Sequence, residues 1–158
     1  MIINDSSSNL SYAGFWFRFI AAIVDIILCQ ILIIVIVFPL AYVLGLYMAE
    51  TASASDIEST GEALGTILGI FIQWLYFTVQ ESSTWQATVG KKMFGMTVTD
   101  MGGKRISFGR ANARYWSKIL SALILMIGYL MVAFTAKKQG LHDLIAGTLV
   151  LRNTHNEQ

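Results

Sequence analysis

The sequence predicts an all-α membrane protein of three or four transmembrane or re-entrant helices, with a small cytoplasmic β-hairpin and a short C-terminal helix. Three observations carry this. The 158-residue chain is 55% hydrophobic and only 13% charged, and its apolar residues gather in long blocks instead of recurring at the period of a soluble amphipathic helix. The charges are segregated: residues 82–118 carry seven basic side chains against Asp100 alone, whereas Glu50 to Glu62 holds four acidic and no basic ones. Asp25 is the one charge in the run from Phe19 to Ala49, and a carboxylate at the centre of a bilayer costs about 2.5–3.5 kcal/mol on insertion scales, so it is kept for a partner or a task.

The first block begins near Phe15 and reaches Ala49, which as one helix would be about 50 Å long against a hydrocarbon core of about 30 Å. Pro39, the only proline, is expected to kink or end the helix, leaving Leu40 to Ala49 as a tilted or interfacial extension. Tyr12, Phe15 and Trp16 beside Arg18 form an aromatic and basic anchor for the inner interface. Arg18 and Asp25 are seven residues apart, on one helix face but about 10 Å apart along the axis, too far to touch without a bridging group. The single cysteine, Cys29, lies within this block, excludes an intramolecular disulfide and reads as packing. Ala52-Ser53-Ala54 resembles a signal cleavage site, but the apolar run before it is about twice the length of a signal h-region and carries Asp25, so an uncleaved span is expected.

The second block, Ala63 to Gln80, is just long enough to cross. Gly61, Gly65 and Gly69 repeat every four residues and Gln73 continues the stripe, which predicts a close helix contact. That contact is with the first helix of the same subunit or with a second copy of the chain, and an oligomer is expected.

By the positive-inside rule the basic stretch 82–118 is cytoplasmic and the acidic loop faces outward. Met96 to Thr99 reads as a strand, Asp100-Met101-Gly102-Gly103 as a turn and Lys104 to Phe108 as a returning strand. Gly90-Lys91-Lys92 lacks the upstream glycine and preceding strand of a phosphate loop. Lys91, Lys92, Lys104, Arg105, Arg110 and Arg114 are therefore expected to set topology and meet anionic headgroups.

Tyr115 to Phe134 is a third span by length. Three spans would place the basic pair Lys137-Lys138 outside, against the charge rule, unless this block is a re-entrant hairpin turning near Gly128 or the final apolar stretch enters the bilayer from outside. In Leu141-His142-Asp143-Leu144, Asp143 falls in the first turn of a short helix, either as a cap or as a partner for Arg18 or Asp25. Residues 153–158 form a polar tail after a single domain, 1–152.

The motifs Arg18 with Ala21 or Ala22 and Asp25, Ala87-Thr88-Val89-Gly90-Lys91-Lys92 leading to Asp100-x-Gly, and Leu141-His142-Asp143 with Ala146-Gly147-Thr148 occur in an order that resembles the RDD family of small prokaryotic membrane proteins. The likeness extends from Tyr12 to Val150. The family is named for one arginine and two aspartates, which by position are Arg18, Asp25 and Asp143. The resemblance implies a multi-pass protein of the bacterial cell (inner) membrane, and the charge rule puts its amino terminus inside. It also implies monovalent-cation/proton antiport, the activity proposed for some members.

Exchange is a coherent use of these side chains, because desolvation and a nearby cation pull a carboxyl's pKa in opposite directions. On this reading Asp25 and Asp143 bind a proton or cation, Arg18 regulates them, and His142, Gln73 and Gln30 line the path. The other reading is a scaffold or accessory subunit in which Arg18, Asp25 and Asp143 form a structural polar network. No cysteine pair, HExxH or nucleophile elbow is present, so no enzyme, metal or cofactor is expected. The basic residues adjoin membrane segments and point to lipid, not nucleic acid.

Overall fold

The computed structural model describes residues 10–123 and 127–153; the polar tail beyond Asn153 lies outside them. In chain order the elements are β1 (Leu10–Tyr12), α1 (Phe15–Met48), α2 (Ala54–Ser82), α3 (Val89–Met93), β2 (Met96–Asp100), α4 (Phe108–Leu123), α5 (Ile127–Phe134), α6 (Leu141–Ala146) and β3 (Thr148–Asn153). Helix dominates, as the blocks of apolar residues predict, and α1 and α2 are each long and apolar enough to cross a membrane.

The chain forms two compact units, one of residues 26–76 and one combining residues up to Asp25 with those from Phe77 onward. In the first of these, α1 runs through Pro39 to Met48 as helix. Of the kink or end expected at Pro39, the end is therefore corrected; a proline inside a long apolar helix is tolerated where neighbouring helices and local adjustments re-satisfy the freed backbone groups. Ser53 starts α2: its hydroxyl accepts from the Asp56 amide at 3.3 Å while Asp56 accepts from the Ser53 amide at 3.3 Å, a reciprocal cap. The glycine stripe meets α1, since a Cβ at Gly65 would touch Val37 and one at Gly69 would touch Ile33, whereas Gly61 faces open space. Gln73 lies half-buried on α2 and Gln30 is exposed on α1.

The second unit has a three-stranded antiparallel sheet of order β1-β3-β2, with Ser11 opposite Arg152 and Val98 opposite Val150. This replaces the predicted hairpin. The turn forms, because the Asp100 carboxylate accepts from the Gly102 and Lys104 amides at 2.9 and 2.8 Å. The return strand does not, and one bridge from Thr99 to Arg105 is all that remains of it. An isolated hairpin is marginal, and β3 offers β2 a longer partner. Ser107 then caps α4 through the Arg110 amide at 3.3 Å and turns the chain into helix. Ala13, Ala21, Met96, Val98, Ile106, Ala111 and Val150 make the apolar core between sheet and helices.

Tyr115 to Phe134 is not one helix. α5 packs back on α4: a Cβ at Gly128 would lie 2.8 Å from the Ser121 backbone, and the Tyr129 hydroxyl donates to the Lys118 carbonyl at 3.2 Å. The chain then reaches α6 through a turn at Lys138, whose φ is 47°, and α6 ends at Gly147, whose left-handed φ of 60° lets its amide bond back to Asp143 and Leu144.

Candidate functional site: a buried ladder of ion pairs

α4 is inverted relative to a soluble helix. Arg114, Ser117 and Ser121, at steps of three and four, point inward and are buried, while Trp116, Ile119 and Leu120 are exposed. Arg114 becomes the centre of the site. Its Nε and Nη2 both lie 2.9 Å from Asp143 Oδ1, and its Nη1 donates to Glu81 Oε2 at 2.8 Å. Glu81 Oε1 accepts from Lys91 Nζ, and Lys118 Nζ stands 3.8 Å from the same oxygen and 4.2 Å from the centre of the Phe77 ring.

Asp143 is shared. Its Oδ2 accepts from Arg18 Nη1 at 2.5 Å and from the Gly140 amide at 3.1 Å, so it caps α6 and pairs across helices at once. Arg18 spends its other donors on carbonyls, Nε on Ala13 at 3.0 Å and Nη2 on Lys138 at 2.6 Å. Arg18, Asp143, Arg114, Glu81 and Lys91 thus alternate in sign along one connected ladder. Counting Lys118, four cationic side chains meet two carboxylates.

The electrostatics follow from burial and neighbours. Burial alone would raise the Asp143 carboxyl, but Arg114 and Arg18 outweigh it and hold it well below the usual carboxylate range. Burial, then repulsion from Arg114, lowers the Lys91 ammonium to about 7 against the pull of Glu81. His142, whose Nδ1 lies 3.4 Å from Ser121 Oγ and whose Nε2 lies 3.6 Å from Asp143, is lowered by burial to about 3 despite that carboxylate.

Asp25 acts on the ladder through its charge on Lys118 and anchors α3 with its oxygens. Thr88 Oγ1 donates to its Oδ2 at 2.5 Å and the Gly90 amide to its Oδ1 at 2.8 Å, so it holds the start of α3 against α1. Gly90 is required there, because a Cβ would lie 2.3 Å from the Ala21 carbonyl oxygen and 2.9 Å from Asp25 Cγ.

Of the sequence-predicted residues, Arg18, Asp143 and His142 come together and Asp25 binds neutral donors beside them. Lys91 and Arg114, expected at lipid headgroups, are buried in the ladder; each finds a carboxylate inside the fold, which offsets the loss of water. Lys92 is exposed with its ammonium 4.6 Å from the Trp85 ring centre, Lys104 and Arg105 are exposed, and Arg110 is exposed and 3.6 Å from Asp100. Glu81 was not foreseen. Its signal was its place as the lone charge at the end of an apolar helix. Among the described residues no three His, Cys, Asp or Glu side chains gather as metal ligands do.

Comparison with known proteins agrees with the order of these motifs. The sequence profile of the RDD family matches residues 12–147. An uncharacterized protein of Bacillus subtilis (strain 168), YxaI, is 36% identical over 146 residues, covering 88% of this chain and 96% of the relative. A second from the same organism, YteJ, described as an uncharacterized membrane protein, is 31% identical over 150 residues, covering 89% of this chain and 81% of the relative. No solved structure is significantly similar.

Proposed function

The chain belongs to the RDD family, and on that premise we propose that it is a scaffold or accessory subunit of the bacterial cell membrane whose ion ladder fixes the packing of α1, α4, α6 and the sheet. One observation carries this: the two carboxylates of the ladder already have every oxygen engaged, and by more cations than they can neutralise. A further monovalent cation would enter against that surplus. A buried network of this kind costs several kcal/mol in desolvation and is kept where it specifies one arrangement.

The placement proposed is multi-pass with the amino terminus inside. β1 and β2 both pair with β3, so all three belong on one side, and the exposed Lys92, Lys104, Arg105 and Arg110 of the same unit argue for the cytoplasmic side. The acidic start of α2 then faces outward.

A second reading is exchange of a monovalent cation for a proton, favoured by Lys91. Its ammonium releases a proton near pH 7, and Glu81 then loses one of its cationic partners. The test is a pH-sensitive dye in proteoliposomes under Na⁺, K⁺ or Li⁺ gradients, with the native protein and Lys91→Met in parallel. The scaffold reading expects no proton movement above empty liposomes; cation-dependent movement that Lys91→Met abolishes would replace it with exchange.

A further inference from the structure

We propose that α4 and α5 enter the bilayer as a re-entrant hairpin one leaflet deep, with α6 lying beside it, and that acyl chains of that leaflet cover their outer faces. This uses the membrane setting of the chain and is independent of whether the ladder is a scaffold or an exchanger.

The inversion of polarity is the first argument. On α4 the exposed side chains from the middle onward are Trp116, Ile119 and Leu120; on α5 they are Leu130 and Phe134, the latter 87% exposed; on α6 they are Leu144 and Ile145. The side chains facing inward include Arg114, Ser117, Ser121, His142 and Asp143. A water-facing layer would have the opposite arrangement. The apolar surface is also continuous in kind with the first turns of α1, in the same unit, where Trp16, Phe19, Ile20 and Ile23 are exposed.

Length decides the depth. From Trp116 to Leu123 is eight residues and α5 is eight residues, about 12 Å each at 1.5 Å per residue. That covers most of one leaflet, about 15 Å of a core about 30 Å thick, and falls well short of two. The polar ends agree. Arg110 and Asp100 lie before the apolar part of α4, and Lys137 and Lys138 follow α5, which places both ends of the hairpin at one headgroup level. The return explains how β3, after the hairpin, pairs with β2, before it.

The experiment places single cysteines at Leu120, Leu130, Leu144, Lys104 and Lys137 on a Cys29→Ser background, in vesicles of phosphatidylcholine and phosphatidylglycerol. Spin labels at Leu120, Leu130 and Leu144 are expected to collide more with oxygen than with a water-soluble nickel chelate, with the reverse at Lys104. An impermeant maleimide is expected to reach Lys104→Cys and Lys137→Cys from the same face. Nickel-dominated collisions at Leu120 and Leu130 would overturn the proposal, as would labelling of the two lysine positions from opposite faces. Spin–spin broadening between copies with both reagents excluded would overturn it too, by showing a second protomer on this surface. None of these readouts requires ion flux.

Discussion

Arg18 and Asp143 are separated by 125 positions in the chain and meet at 2.5 Å. The pair joins the first turn of α1 to the first turn of α6, and through Asp143 it reaches Arg114 and Glu81. Each side chain is close to saturated: Arg18 donates to two carbonyls as well, and Asp143 accepts from a second guanidinium and a backbone amide.

Asp143→Asn keeps the shape of the side chain and leaves two buried guanidinium groups short of a counter-charge. Breaking a buried pair by removing one partner costs about 3–5 kcal/mol, so detergent-solubilised protein should melt at a markedly lower temperature. Arg18→Met in the Asp143→Asn background should cost less than the sum of the single changes, because the second change removes a charge that the first left unpaired. Additive losses would mean that the two side chains act independently.

Gly90→Ala brings a Cβ against a backbone oxygen that has nowhere to move. Overpacking of this kind costs about 1–3 kcal/mol, to be read as a lower melting temperature. Gly61→Ala, with nothing near the added methyl, should be neutral or stabilising by up to about 1 kcal/mol through helix propensity.

His142 gives a pH signature. Its folded pKa of about 3 lies below the ordinary value of 6.5, so between those limits the unfolded chain binds the extra proton. Stability is then fully present above pH 6.5 and falls as pH drops toward 3, by roughly 1 kcal/mol per unit. Thermal melts from pH 7 to 5 should show the loss, and His142→Gln should flatten it. Asp143, whose pKa is depressed, adds to the loss only below its unfolded value of 3.8.

The sheet can be trapped. Ser11 and Arg152 are register partners, and Cα atoms opposite one another in antiparallel strands are about 4.5–5.5 Å apart, within disulfide range. Ser11→Cys with Arg152→Cys, on Cys29→Ser, should form a bond on mild oxidation, seen as a mobility shift reversed by reductant. Failure to cross-link in folded protein would contradict the strand order.

Arg18, Asp25 and Asp143 were legible in the sequence because each is a charge or a first-turn acid in apolar surroundings, where the cost of placing it demands a reason. Arg114 and Lys91 were not, since each stands in a run of like-signed residues that topology alone explains. The only sign was the polar stripe of Arg114, Ser117 and Ser121, which becomes visible once α4 is taken to start at Phe108 and not at Tyr115. The two long apolar helices followed from hydropathy, but the acidic stretch read as a loop is helical from Ala54 onward, because Ser53 and Asp56 cap α2 ahead of its apolar part. β3 was hidden because Thr148 to Leu151 continues the apolar stretch of α6, although Gly147 marks the stop. The partner of β2 was misassigned for a related reason: local turn chemistry at Asp100 is strong, while pairing with a strand some fifty residues away leaves no local trace.

The middle strand of the sheet is the last of the three to leave the ribosome. β1 and β2 do not pair with each other, so neither edge has a partner until Thr148 to Asn153 has been made, and Asp143, which ties Arg18 to Arg114, is made just before it. Both closures therefore wait for residues 143–153. A nascent polypeptide stalled before Asp143 would hold Arg18 and Arg114 with no acid between them and two strand edges open, so ladder and sheet close together once residues 143–153 have been made.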